Sequence, residues 1–210
     1  VQDGEELTAK TDQHRLYFHK VGQPQAADDV VFGDGETFRY VSGYVTEDQR
    51  FLVVYASNTT AGNRLFVMDL NDPRGQLVNV VDDETSDISV IFSQDGMLYA
   101  QTNRAAPNSR LVKFNLQAPT AWQDVIPESE HVLDASAVGG YFFAQYMVDA
   151  IARVEQYSLD GQRLREIVLP GPGDASGFRG KAKDTVAYYS FQNYKTPSTL
   201  FRLELASGDS

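Results

Sequence analysis

SRLVKFNLQAPTAWQDVIPESE, spanning Ser109–Glu130, decides the fold. Its first half is an arginine, a strand-forming run and then Asn115–Leu116, as expected of a β-strand that runs into a turn. QAPTA is the turn. WQDVIP is a second, shorter strand, and Pro127 stops it where a missing N–H would break the ladder. The stretch therefore predicts two adjacent antiparallel strands, the second at an edge.

The first half recurs. RLYFHKVG from Arg15, NRLFVMDL from Asn63, ARVEQYSLDG from Ala152 and STLFRLELASG from Ser198 share its shape. The aligned apolar residues Leu16, Leu65, Leu111, Val154 and Leu200 lie 49, 46, 43 and 46 residues apart. Ahead of the last four sit near-continuous aromatic and β-branched runs, RFLVVYAS, MLYAQTN, YFFAQYM and TVAYYSF, which read as strands covered on both faces. Weaker strands precede these in YVSGYVTEDQ, ISVIFSQDG, LDASAVGG and SGFRGKAKD, and short ones follow in QLVNVV, WQDVIP and LREIVLP. Four strands per period of about 45 residues are the signature of a β-propeller blade. A β-sandwich is the competing all-β fold, but sandwiches do not repeat a four-strand unit so evenly.

The expected organisation is a half blade over 1–35, blades over 36–84, 85–130 and 131–172, and an incomplete blade over 173–210. Between four and five blades make an open arc, and the missing initiator methionine fits a chain cut from something longer. The aromatic residues Phe51, Tyr55, Phe142, Phe143, Tyr146, Tyr188 and Tyr189 are expected to fill the wedges between blades. Strand edges exposed at both ends of the arc invite pairing, so a homodimer is expected.

Bulk composition narrows the partners. With 29 acidic residues against 18 Lys and Arg, the net charge of −11 disfavours nucleic acid and anionic membrane surfaces. No cysteine is present, so disulfides and thiolate chemistry are excluded, a composition suited to cytoplasm or periplasm. No apolar run approaches the roughly 20 residues that span a bilayer.

Six segments taken in order carry a family resemblance: HRLYFHKVGQPQAADDVVF, YVTEDQRFLVVYAS, NRLFVMDL, QTNRAAPNSRLVKFNL, WQDVIPE and GFRGKAKDTVAYYSFQNYKTPSTLFRLEL. Together they cover almost the whole chain and resemble the propeller of the prolyl oligopeptidase (prolyl endopeptidase) family. The resemblance implies a serine peptidase that cleaves short peptides after proline. In it a seven-bladed propeller, lying over an α/β-hydrolase domain, admits oligopeptides to the active site. This chain is similar to the later part of that propeller, so its partners would be the hydrolase domain of the same parent and the peptide. A stand-alone propeller that binds a protein or peptide is the alternative.

No catalytic residue is expected within the chain. A hydrolase of this kind needs a G-x-S-x-G elbow, and the only glycine pair, Gly139–Gly140, is followed by Tyr141. His14, His19 and His131 have no elbow to serve. His14 and His19 lie five residues apart, on opposite faces of a strand, and would leave a metal short of ligands. Neither a metal nor a cofactor is expected. The acidic run Asp82–Asp87 lacks calcium-loop spacing and reads as a solvated connection. Gly171–Gly180 has no Walker lysine and reads as an inter-blade loop. Asn58-Thr59-Thr60 fits an N-glycosylation pattern by accident.

By resemblance, the segment containing Thr11, Asp12, Gln13 and His14 corresponds to a gating loop, and Tyr40, Ser57, Thr59 and Thr60 face the peptide. Better-known members carry Arg and Cys near Ser57–Thr60, where this chain is one residue shorter.

Overall fold

Runs dense in β-branched and aromatic residues become strands throughout the chain, which the computed structural model describes at residue 8 and over residues 12–210. Thr11 of the expected gating segment lies outside the described residues. There are two units, Val1–Asp87 and Ile88–Ser210.

In the first unit, β1 (Leu16–Phe18) and β2 (Asp29–Phe32) form an antiparallel pair, the expected half blade. A four-stranded antiparallel sheet follows in chain order: β3 (Tyr40–Val45), β4 (Phe51–Ser57), β5 (Arg64–Asp69) and β6 (Val78–Val81). Phe51, Val53, Val54 and Ala56 of β4 are buried, and both faces of that strand are covered. Gly62 has a positive φ of 78°, and a Cβ there would sit 1.9 Å from the Glu84 carbonyl oxygen, so only glycine lets the β4–β5 turn pass so close.

The second unit holds two more four-stranded sheets and one of three strands. The first contains β7 (Ile88–Gln94), β8 (Met97–Thr102), β9 (Arg110–Phe114) and β10 (Gln123–Ile126). The second contains β11 (Asp134–Val138), β12 (Tyr141–Val148), β13 (Ile151–Ser158) and β14 (Arg163–Glu166). The last contains β15 (Asp174–Arg179), β16 (Val186–Gln192) and β17 (Thr199–Glu204). The strand content, pairing and order match the blades expected from the repeat. Trp122 precedes β10 rather than joining it. Its indole N–H donates to the Pro119 carbonyl at 2.8 Å and its ring lies against Phe114, so it closes the turn.

Adjacent residues Phe142 and Phe143 face opposite sides of β12 and are both fully buried. Phe142 belongs to the core shared with Tyr99, Leu111 and Ile126 of the preceding sheet. Phe143 belongs to the core shared with Phe178, Tyr189 and Leu203 of the following one. A middle sheet in a stack has no solvent face, which is why its strands read as continuous apolar runs.

Two expectations need correction. Tyr188 is half exposed because Tyr189 takes the inward position and neighbours on a strand point to opposite sides. Gly171–Gly180 is not wholly a loop: β15 begins inside it at Asp174, and Ala175 and Phe178 are buried.

Phe143→Ala removes a ring stacked on Phe178 at a centroid distance of 5.5 Å and is expected to cost about 3–5 kcal/mol. Tyr188→Ala is expected to cost less than about 1 kcal/mol. Urea unfolding of the two variants checks the assignment, and equal losses would contradict it.

Candidate functional site

The β3–β4 pair and the chain entering β1 build a groove of about 260 Å³ lined by His14, Tyr40, Ser42, Tyr55 and Ser57. Tyr40 and Ser57 sit opposite one another in the antiparallel register. The His14 backbone N–H donates to the Phe38 carbonyl at 2.9 Å, which brings the imidazole edge-on to Tyr40 at 6.5 Å. The Arg39 guanidinium lies 5.4 Å from the Tyr40 ring centroid. Thus His14, from the expected gating segment, meets Tyr40 and Ser57, from the expected peptide-facing set. The arrangement offers aromatic faces, a hydroxyl and an imidazole, suited to holding a peptide segment.

Thr59 and Thr60 lie in the turn after β4 and do not line this groove. The Thr59 hydroxyl donates to the Ala61 carbonyl at 2.6 Å, and the Ser57 hydroxyl donates to the Thr59 carbonyl at 3.2 Å. Asp12 and Gln13 are exposed. Asn58 is the organising residue that sequence reasoning missed. Its side-chain oxygen accepts from the Arg39 N–H at 3.1 Å, and its own N–H donates to Glu84 at 2.8 Å. Glu84 also accepts from Arg64 Nε at 3.3 Å, and Asp87 accepts from the Gly62 N–H at 2.8 Å. The Asp82–Asp87 run is therefore a bracket for the groove's turn rather than merely a solvated loop. Asparagine before two threonines at the end of a strand signals such a side-chain-to-backbone turn.

A second cavity, of about 490 Å³, lies between sheets of the second unit. Ser89 and Ile91 of β7, Gln101 of β8, Asp134 and Ser136 of β11, and Arg179 of β15 line it. Gln101 clamps two neighbouring sheets together. It donates to the Leu133 carbonyl at 2.8 Å and accepts from the Ala135 N–H at 2.7 Å. Bulges break the alternation of both flanking strands, between Val90 and Phe92 and between Gly177 and Arg179. At the second, Phe178 takes a left-handed φ of 56°, a conformation that costs an aromatic residue about 1 kcal/mol or more. Burial of its ring between Phe143 and Tyr189 offsets this.

The most concentrated set of titratable side chains surrounds Glu155, whose side chain is only 6% exposed. Arg153 and Arg163 each approach one carboxylate oxygen at 3.1 Å, and the Tyr157 hydroxyl donates to the other at 2.7 Å. Burial alone would raise the Glu155 pKa; hydrogen bonds from Arg163 and Tyr157, with the charges of both arginines, outweigh it and hold the carboxyl below its ordinary range. Burial, and then the bond to Glu155, pushes the Tyr157 hydroxyl up. The carboxyl is held ionised and the phenol protonated near neutral pH, so the cluster is a staple across β13 and β14 rather than an acid–base centre. His19 pairs with Asp28 at 2.7 Å and His131 with Glu130 at 3.4 Å. No imidazole bonds to a serine hydroxyl among the described residues.

The sequence profile of the N-terminal β-propeller domain of prolyl oligopeptidase matches residues 1–210. The chain belongs to this family. It is 43% identical over its whole length to a prolyl endopeptidase of Elizabethkingia miricola and 44% identical to one of Elizabethkingia meningoseptica. It spans 30% of the length of each. A structure from a study of two prolyl endopeptidases superimposes with a TM-score of 0.84 at 23% identity, covering 97% of this chain and 31% of the other. Prolyl oligopeptidase B from Galerina marginata, bound to a 25-residue macrocyclization substrate, gives 0.84 at 24% identity, covering 99% and 30%. These likenesses show the fold: an all-β propeller segment.

Glu155 has a folded pKa below its unfolded value of about 4.3, so its stabilising contribution is complete above that pH and disappears as the pH falls through the folded value. Glu155→Gln is expected to cost about 2 kcal/mol at neutral pH, the half-exposed guanidiniums keeping the figure below that of a fully dry pair. Guanidinium unfolding at pH 7 and pH 3 checks this; the difference from the unsubstituted chain should shrink in acid.

Proposed function

We propose that this chain is the substrate-gating propeller segment of a prolyl endopeptidase. The serine nucleophile, histidine base and carboxylate lie in an α/β-hydrolase domain elsewhere in the parent polypeptide. The observation that carries the reading is the convergence of His14, Tyr40 and Ser57 on one groove, in a chain that belongs to the prolyl oligopeptidase propeller family. Its substrates are short, unstructured peptides containing proline. The segment acts sterically: a stack of well-packed sheets has no room to yield to a folded protein, so selection follows access rather than bond chemistry.

Within this mechanism the groove holds the peptide by shape and aromatic contact. Tyr40 presents a 40% exposed ring, kept in place by Arg39 on one side and by the β3–β4 register on the other. Thr59 and Thr60 shape the adjoining turn, and Asp12–His14 form the movable rim. Truncating Tyr40 removes contact area without touching the reacting atoms.

In the full polypeptide carrying this chain, Tyr40→Ala is expected to raise KM for a proline-containing octapeptide about three- to tenfold with kcat nearly unchanged. Deleting the propeller should extend cleavage to larger substrates. A deletion variant that kept its size cutoff, or a full-length protein with no cleavage after proline, would refute the proposal.

A further inference from the structure

A regular strand would place Ala175, Gly177 and Arg179 on one face of β15 and Phe178 on the other. The bulge changes this. Ala175 and Phe178, three residues apart, both enter the core, and Arg179 is turned out to the 490 Å³ cavity. One hydrogen bond, and two close approaches that glycine alone permits, hold that geometry. The Phe178 carbonyl accepts the Ser136 hydroxyl at 3.0 Å. A Cβ at Gly177 would lie 2.8 Å from the Tyr188 carbonyl oxygen. A Cβ at Gly180 would lie 2.8 Å from Val138. The chain on both sides of Arg179 is thus pinned while its side chain stays 70% exposed. A strained segment, anchored by the buried Ala175 and Phe178, that presents one exposed cation to a cavity is the arrangement of a ligand contact.

Arg179 has donors to spare. Its recorded ion pair, to Asp134, is a single contact of 3.6 Å between side chains that are both mostly exposed. Elsewhere the chain makes closer pairs, as where Arg74 grips both oxygens of Asp72. An exposed pair of this kind contributes little stability and exchanges readily. A carboxylate entering the cavity would meet a guanidinium fork with bidentate capacity, and Ile91 beside it supplies an apolar wall.

Resting on the peptidase reading above, we propose that this cavity binds a carboxylate of the peptide substrate through Arg179, with Asp134 as the internal competitor that occupies the guanidinium when no peptide is present. Asp134 also sets the affinity. In a chain of net charge −11 it repels an incoming carboxylate, so the site captures peptide carboxylates weakly and releases them. The two residues therefore act in opposite directions on the same ligand, which a structural ion pair does not do.

The test measures binding by fluorescence polarisation to the full polypeptide carrying this chain, with a fluorescein-labelled Gly-Ala-Gly-Ser-Ala probe. The probe lacks proline, so the measurement does not depend on cleavage. The free acid should bind about tenfold tighter than its C-terminal amide. Arg179→Gln should abolish that preference and Asp134→Asn should tighten free-acid binding severalfold, with unfolding temperatures unchanged in both. An amidated probe with glutamate in place of the central glycine distinguishes the sources: recovered affinity assigns the contact to an acidic side chain as well as the terminus, and no recovery assigns it to the terminus alone. Equal binding of acid and amide, or weakening by both substitutions, would overturn the inference even if cleavage after proline is normal. Opposite-signed shifts in a protein that does not cleave after proline would uphold the site and refute the peptidase reading.

Discussion

Within the second unit, among the described residues, no strand of one sheet pairs with a strand of the next, so side chains must fill the wedges between sheets. Hydrogen bonds satisfy each sheet mostly internally, a few cross to the neighbour, and the space between sheets is closed chiefly by apolar burial and ring stacking. In the second unit Phe143 of β12 stacks on Phe178 of β15 across two sheets at a centroid distance of 5.5 Å, and Tyr189 and Phe201 continue the stack along the β15–β17 sheet at 4.6 and 5.3 Å, all at interplanar angles of 24° or less. Flat rings fill such a space with few rotamers, so they fix the spacing of sheets as well as their attraction. Polar clamps such as Gln101, which satisfies two backbone groups of the neighbouring sheet, then set the register.

This division of labour places the candidate groove and the cavity. The middle strands are consumed by packing on both sides. Groups with freedom to meet a ligand lie on first strands and the turns beside them: Tyr40 on β3, Ser89 on β7, Asp134 on β11 and Arg179 on β15. Charge that cannot reach solvent is neutralised locally. Glu155 is 6% exposed and still ionised because two guanidiniums and a phenol surround it, so this cluster is a structural staple.

Part of the candidate groove follows from local pattern. The resemblance puts Tyr40 and Ser57 on one hairpin, and the strand register brings its two ends together. His14 was assigned to a different feature, and only a backbone bond to Phe38 carries it to Tyr40. Thr59 and Thr60 look like binding hydroxyls in sequence, but the Thr59 hydroxyl is turned back onto its own backbone. Asp82–Asp87 looked like surface because six polar residues in a row usually are; Glu84 and Asp87 instead turn their carboxylates to the chain because the Asn58–Gly62 turn leaves N–H groups that need acceptors.

The amino-acid sequence alone determined the all-β class, the four-strand unit and its period. These depend on local alternation and on turn residues such as Asp95–Gly96 and Gly139–Gly140, whose backbones need positive φ. It did not determine which neighbour on a strand faces inward at a bulge, so Tyr188, Phe178 and Arg179 were decided by the tertiary structure. One extra residue reverses every side beyond it, and no local pattern signals where the insertion falls. The cavities were likewise decided there, because their walls come from strands dozens of residues apart that only the packing of one sheet on the next brings together.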